Sequence, residues 1–250
     1  MRALHLIAPL LLALLAGCSS LQEKDDSELS AEALYERAKK ALDSADYELA
    51  ISHFDSLETR FPFGVYAQHA QLNSAYAYYK FDESESAIAN ADRFIKTYPR
   101  HKHVDYAYYL RGLARFNQDK DSIDRLLNLD ITKREPGAIQ TSFLYFKELV
   151  ERFPNSRYSA NAKQRMIHLR NLLAQNELHV ANYYMDLGTF VAAANRAKYI
   201  VENLPRTPAI PEALTIMASA YQQLGLQKLA DDALRLRDTN FPDYTPQAAM

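Results

Sequence analysis

A single cysteine among 250 residues excludes an intramolecular disulfide and any zinc site built on cysteine pairs. Tryptophan is absent and only 6 glycines occur, so no glycine-rich phosphate loop is available. Long alternating runs of β-branched residues are missing as well, which leaves helix as the structure this chain can build. Neither sign of charge is in excess: the formal net charge is −2, too little basic bias for a nucleic-acid partner. No nucleophile elbow appears either. The longest apolar run, Leu4–Leu15, is too short to span a bilayer.

That run sits where a secretory signal belongs. Arg2 supplies the positive start, and Leu15-Ala16-Gly17-Cys18 closes it with small residues ahead of the lone thiol. The stretch resembles a bacterial lipoprotein signal. The resemblance implies cleavage of residues 1–17, an S-diacylglycerol group on Cys18 and N-palmitoylation of the new terminus. Several acyl chains anchor stably where one is marginal. Ser19 stands where an inner-membrane retention signal carries Asp, which favours the outer membrane, facing the periplasm. The alternative is a plain secretory signal with an incidental free cysteine. Cleavage leaves 233 of the 250 residues, with 28 basic against 31 acidic once Arg2 is removed.

What remains is organised by proline. Phe61-Pro62, Tyr98-Pro99, Phe153-Pro154, Leu204-Pro205 and Phe241-Pro242 each follow an amphipathic stretch that proline can end. The proline spacings are 37, 55, 51 and 37, which points to a repeat array. With each proline at position 32 of a tetratricopeptide frame, Leu34, Ala38, Ala41, Ala50, Phe54 and Leu57 fall on packing positions before Pro62. Ala75, Tyr78, Ala87, Ala91 and Phe94 do so before Pro99. Before Pro205 the frame selects Ala181, Tyr184, Gly188, Ala193 and Ile200, and before Pro242 Leu214, Ala218, Tyr221, Gly225, Ala230 and Leu234. Small residues at these places are expected where two helices cross closely. The chain thus resembles a tetratricopeptide array, an all-α solenoid of about five helix pairs, about ten helices in all, from about residue 30 to 242.

The two long spacings predict two departures. In the third repeat, helices near Val104–Phe116 and Ala138–Phe153 are separated by an 18-residue insertion, the excess of 55 over 37, with Asp119, Asp121, Asp124 and Asp130 in it. In the fourth, Tyr158–Leu187 holds no Pro or Gly, which predicts one long helix. The domain plan is a signal at 1–17, a lipidated tether at 18–29, N-terminal repeats at 30–116, an insertion loop at 117–137, C-terminal repeats at 138–242 and a tail at 243–250. Ser30, followed by Glu32, is the expected first N-cap.

Catalytic chemistry is weakly represented. His101, His103 and Asp105 have metal-like spacing, but they follow Pro99, where an inter-repeat turn is the simpler reading. Asp82, Glu83 and Glu85 are acidic, yet a turn between helices lacks an enclosing pocket. The expectation is a protein that is not an enzyme and holds neither metal nor cofactor beyond its lipid. Tyr76, Tyr78 and Tyr79, with Tyr106, Tyr108 and Tyr109, read as largely core; Tyr79 and Tyr109 are candidates to line a groove.

A closer likeness rests on particular segments. These are Arg60-Phe61-Pro62-Phe63-Gly64 with Tyr66, Ala75-Tyr76-Ala77-Tyr78-Tyr79-Lys80, Asp92-Arg93-Phe94-Ile95, Arg111-Gly112-Leu113, Phe153-Pro154-Asn155-Ser156 and Asn195-Arg196. In them the chain resembles the BamD family, tetratricopeptide lipoproteins of the machinery that inserts β-barrels into the outer membrane. The resemblance implies a scaffold and substrate receptor. Its N-terminal repeats would receive the C-terminal β-signal of unfolded barrel proteins, and its C-terminal repeats would dock the BamA-type insertase and accessory lipoproteins. Phe61, Phe63, Gly64, Tyr66 and Tyr79 are then the candidate signal-binding residues; Arg196, Arg165 and Arg170 are the candidate partner-binding ones. Another periplasmic tetratricopeptide lipoprotein, serving cell-wall synthesis or a secretion pore, is the alternative.

Overall fold

Small apolar residues at three- and four-residue spacing, stopped by proline, dictate short amphipathic helices. The computed structural model describes residues 26–117 and 136–245. Among them are ten α-helices and one 3-10 turn, Asp26–Glu28, with no strand. The helices form five pairs: α1 (Ala31–Asp43) and α2 (Tyr47–Arg60), α3 (Val65–Lys80) and α4 (Ser84–Thr97), α5 (Val104–Asn117) and α6 (Gly137–Arg152), α7 (Ser159–Asp186) and α8 (Phe190–Asn203), α9 (Ile210–Gln223) and α10 (Gln227–Asn240). None of the described helices is long and apolar enough to cross a membrane. Cys18, the signal, the tether up to residue 25, the expected loop at 118–135 and residues 246–250 lie outside the described residues.

The chain divides into two compact units between Ala70 and Gln71, within α3. In the first, α1 packs on α2. In the second, each helix from α4 onward packs on its successor, and α7 also reaches α9. Such nearest-neighbour packing is what a repeat array requires. The frame residues are where the repeat needs them: Leu34, Ala38, Ala50, Phe54, Leu57, Ala75, Ala87, Ala91, Phe94, Ala181, Ala193, Ile200 and Ala230 are fully buried. Helix α7 is the expected long one, 28 residues. Its first half, through Ala162 and Leu169, joins the core of Phe94, Phe146 and Leu149. The second half, through Ala174, Leu178 and Ala181, joins Ala197, Ile200 and Ala213. Leu173 touches both cores, so the extra turns bridge them.

One expectation is corrected. The repeat frame puts Gly188 and Gly225 at close helix crossings, but both are exposed and have left-handed backbones, φ 69° and 71°. The same frame position in the first two repeats, Ala45 and Asp82, is also left-handed, at 62° and 67°. In these four helix pairs the position is the turn between the two helices, and its geometry, not its packing, selects glycine. Ala45 is exposed and bears the left-handed strain of about 1–2 kcal/mol. Glycine loses about 0.5–1 kcal/mol more backbone entropy than alanine, so strain wins narrowly. Ala45→Gly is therefore expected to stabilise the protein by about 0.5–1 kcal/mol, measured by urea unfolding.

The fold also begins earlier than Ser30. Ser30 does cap α1, its hydroxyl accepting the Ala33 N–H at 3.2 Å. Four residues upstream, however, the Asp26 carboxylate binds Arg37 at 3.0 Å and His53 Nδ1 at 2.6 Å. Arg60 donates to the carbonyls of Asp26 and Leu29. The end of the expected tether is thus clipped onto α1, α2 and the residue that ends α2.

Candidate functional site

Helix α2 stops because Pro62 cannot continue it. Phe61 caps the helix, its N–H donating to Leu57 O at 2.8 Å, and the Arg60 guanidinium lies 5.0 Å from its ring centre. Gly64 has φ 100°, a backbone that L side chains avoid, and no atom lies within 4 Å of where its Cβ would stand. It is present for its backbone, and its carbonyl accepts the Gln68 N–H at 3.3 Å to start α3.

The rings around this turn divide into two kinds. Phe61 is half-buried. Tyr66 is anchored, its ring 5.6 Å from that of Tyr35 on α1, which in turn meets Phe54 and His69. Burial first, then the Glu32 and Glu36 carboxylates, push the Tyr66 phenol above the usual tyrosine value, so it stays a neutral donor, here to Glu32. Phe63, by contrast, is 89% exposed, and Val65 beside it is exposed too. A phenylalanine left in water contributes nothing to the core. It is an apolar face set out by an anchored base.

Tyr79 lies in the second unit, half-buried and packed against Ala75, Ala91 and Leu110 and against Ala87 and Ala114. Tyr109 is similarly engaged: it stacks on Tyr158 at 5.0 Å and donates to Asn161 Oδ1 at 2.6 Å. Tyr106 packs beside them, and burial first, then the neighbouring tyrosines, raise its phenol. Tyr79 and Tyr109 are thus both half-buried and engaged with neighbours in the second unit.

The three candidate arginines lie on α7 and α8 of the second unit. Arg165 Nε donates to the same Asn161 oxygen at 2.7 Å, and Arg170 is half-buried with its Nε unpaired among the described residues. Arg196, on α8, is 47% exposed and pairs with Glu177 of α7 at 3.2 Å. The same α7–α8 hairpin exposes Tyr183, Leu187, Val191 and Tyr199. Tyrosine and arginine on one exposed apolar hairpin are the composition of an interface centre.

The histidines are otherwise occupied. His101 lies edge-on to Phe94 and accepts the His103 N–H through Nδ1 at 3.2 Å. Asp105 accepts the Ser156 hydroxyl at 2.6 Å and the Tyr106 N–H at 2.9 Å, which ties α5 to the turn before α7. No group of three or more His, Cys, Asp or Glu suited to a metal occurs among the described residues.

Sequence reasoning missed two polar centres. Arg111 on α5 pairs with Asp92 of α4 at 2.7 Å and with Glu148 of α6, and lies 4.0 Å from the Tyr145 ring centre. Burial draws its guanidinium down, but Asp92 and then Glu148 outweigh that and hold it above its ordinary value. The other centre is the Asp26 clip. Only Arg111 left a trace in the sequence, as a charge within a stretch where neighbours are buried.

The family model described as "YfiO: Outer membrane lipoprotein" matches residues 27–236. The outer membrane protein assembly factor BamD of Neisseria meningitidis serogroup A is 45% identical over 213 residues, 85% of this chain and 80% of that one. The protein of the same name from Xylella fastidiosa is 37% identical over 96% of this chain and 83% of its own. That of Vibrio cholerae is 36% identical over 92% of this chain and 95% of its own. A thermophilic TPR protein of Thermus thermophilus aligns over 86% of this chain and 93% of its own at 15% identity and a TM-score of 0.37. By the extent of the family match and the identity of these relatives, the chain belongs to the YfiO family of outer membrane lipoproteins, which includes the BamD assembly factors.

Proposed function

We propose that this protein is a lipid-anchored scaffold and substrate receptor in the assembly of outer-membrane β-barrels, without catalytic activity of its own. Cys18 carries the lipid and holds the repeats at the periplasmic face of the outer membrane. The reading is supported by relatives named as outer membrane protein assembly factors. One observation carries it furthest: Phe63, exposed on a turn flanked by half-buried Phe61 and Tyr66. An extended segment ending in an aromatic residue can lay that ring on Phe63 and hydrogen-bond the open backbone at Gly64.

Phe61, Gly64 and Tyr66 form the base of this receptor, and Tyr79 supports the second unit from within. The α7–α8 hairpin, with Arg196 at its centre, docks the barrel insertase through an acidic surface; Arg165 and Arg170, farther back on α7, play a lesser part. Accessory lipoproteins of the machinery share the C-terminal repeats. Because Phe63 is outside the core, Phe63→Ser should leave stability within about 0.5 kcal/mol of wild type. It should weaken binding of a synthetic peptide ending in phenylalanine about tenfold, the loss of roughly one buried aromatic contact. Fluorescence anisotropy of the labelled peptide measures this, and unchanged affinity would rule out Phe63 as the receptor.

A further inference from the structure

We infer that Glu177 is a positioning residue for Arg196: it grips one edge of the guanidinium so that the other edge faces an acidic partner. This rests on the reading of Arg196 as a docking residue. Glu177 lies on the buried face of α7, between Ala174, Leu178 and Ala181, and its side chain is 12% exposed. A carboxylate in an apolar seam is costly unless it is paired. Its partner is Arg196, whose Nη1 lies 3.2 Å from Oε2 and 3.5 Å from Oε1.

Both carboxylate oxygens therefore meet a single nitrogen of the fork. Nε and Nη2 of Arg196 hold no hydrogen bond among the described residues, and the group is about half exposed. A planar guanidinium held at Nη1 keeps the opposite edge, Nε and Nη2, for two parallel bonds to an incoming carboxylate. An untethered arginine would have to be ordered when the partner arrives; here Glu177 has already ordered it. The pair is also nearly neutral from a distance, so Arg196 steers encounter little and acts on the lifetime of the complex.

The experiment is a double-mutant cycle on the full lipid-free chain, with the purified periplasmic domains of the barrel insertase from the same bacterium as probe. Glu177→Gln keeps the shape and an acceptor while removing the charge that grips Arg196. The expected result is dissociation about fivefold faster for Glu177→Gln, and binding at least about tenfold weaker for Arg196→Ala. The double variant should match Arg196→Ala alone, because Glu177 acts only through Arg196. Unchanged or tighter binding by Glu177→Gln overturns the inference while leaving the docking reading intact. So does a Glu177→Gln loss that persists without Arg196, since that marks a general structural effect. Wild-type binding by Arg196→Ala overturns the docking reading and the inference with it.

Discussion

Gly112→Val is expected to destabilise the protein by about 3 kcal/mol, a large share of what holds a domain of this size together. Gly112 lies in the middle of α5, where glycine ordinarily weakens a helix by about 1 kcal/mol relative to alanine. Propensity alone therefore predicts that any substitution helps. Packing decides otherwise. A Cβ at 112 would lie 2.6 Å from Phe146 Cε1 and 2.8 Å from Cδ1, and Phe146 is fully buried. Neighbouring packing restrains the ring, which faces Tyr109 at 5.8 Å. The buried Ser142 hydroxyl also donates to Gly112 O at 2.9 Å, so the α5 backbone cannot retreat without losing that bond. Alanine should already cost about 1 kcal/mol net, and valine, with two further carbons, about 3. Phe146→Leu should recover part of the loss in the Gly112→Ala background, because a smaller side chain vacates the space. Urea unfolding of the four variants reads the coupling; additive losses would mean that the two residues do not share the site.

The second large effect concerns charge. Arg111→Ala is expected to cost about 3 kcal/mol, measured in the same way. The side chain is 11% exposed, and its removal leaves Asp92 and Glu148 facing each other's charge without a cation between them. Both acids are partly open to water, which holds the penalty below that of a fully buried orphan. The flat guanidinium also fills the space beside Tyr108 and Tyr145, which alanine leaves empty. Arg111→Lys should recover little, since an ammonium cannot bond two acids and cover two rings at once. Full recovery by lysine would show that only net charge matters there.

Both predictions concern residues whose importance sequence periodicity does not announce. Proline stops and small residues at fixed spacing read well, because each acts locally on one helix. That is why the bounds of α5, α6 and α7 fall within a residue or two of those read from the chain. Gly112 reads only as a weak helix former, since the ring that fills its notch comes from another helix. Gly188 and Gly225 read as packing residues because a frame count records position and not backbone angle; Ala45 and Asp82, at the same place without glycine, hid the common cause. Asp26 sits in a polar run indistinguishable from a tether until Arg37, His53 and Arg60 converge on it. The loop from Phe61 to Tyr66 was legible as a feature, but its division into anchored Tyr66 and exposed Phe63 needed burial to be known. Arg196 stood out through the resemblance alone; Glu177 gains its meaning only when α7 and α8 are paired and the two side chains meet.

The central claim is that one chain presents a signal receptor at Phe63 and an insertase dock at Arg196. In-cell crosslinking from a photoreactive residue placed at 63 or at 196, followed by identification of the captured proteins, tests it most directly. Position 63 is expected to capture unassembled barrel proteins, joined through their C-terminal segments. Position 196 is expected to capture a large outer-membrane barrel with periplasmic domains. Capture at both positions of cell-wall enzymes or secretion components alone, with outer-membrane barrel levels unchanged on depletion, would contradict the claim.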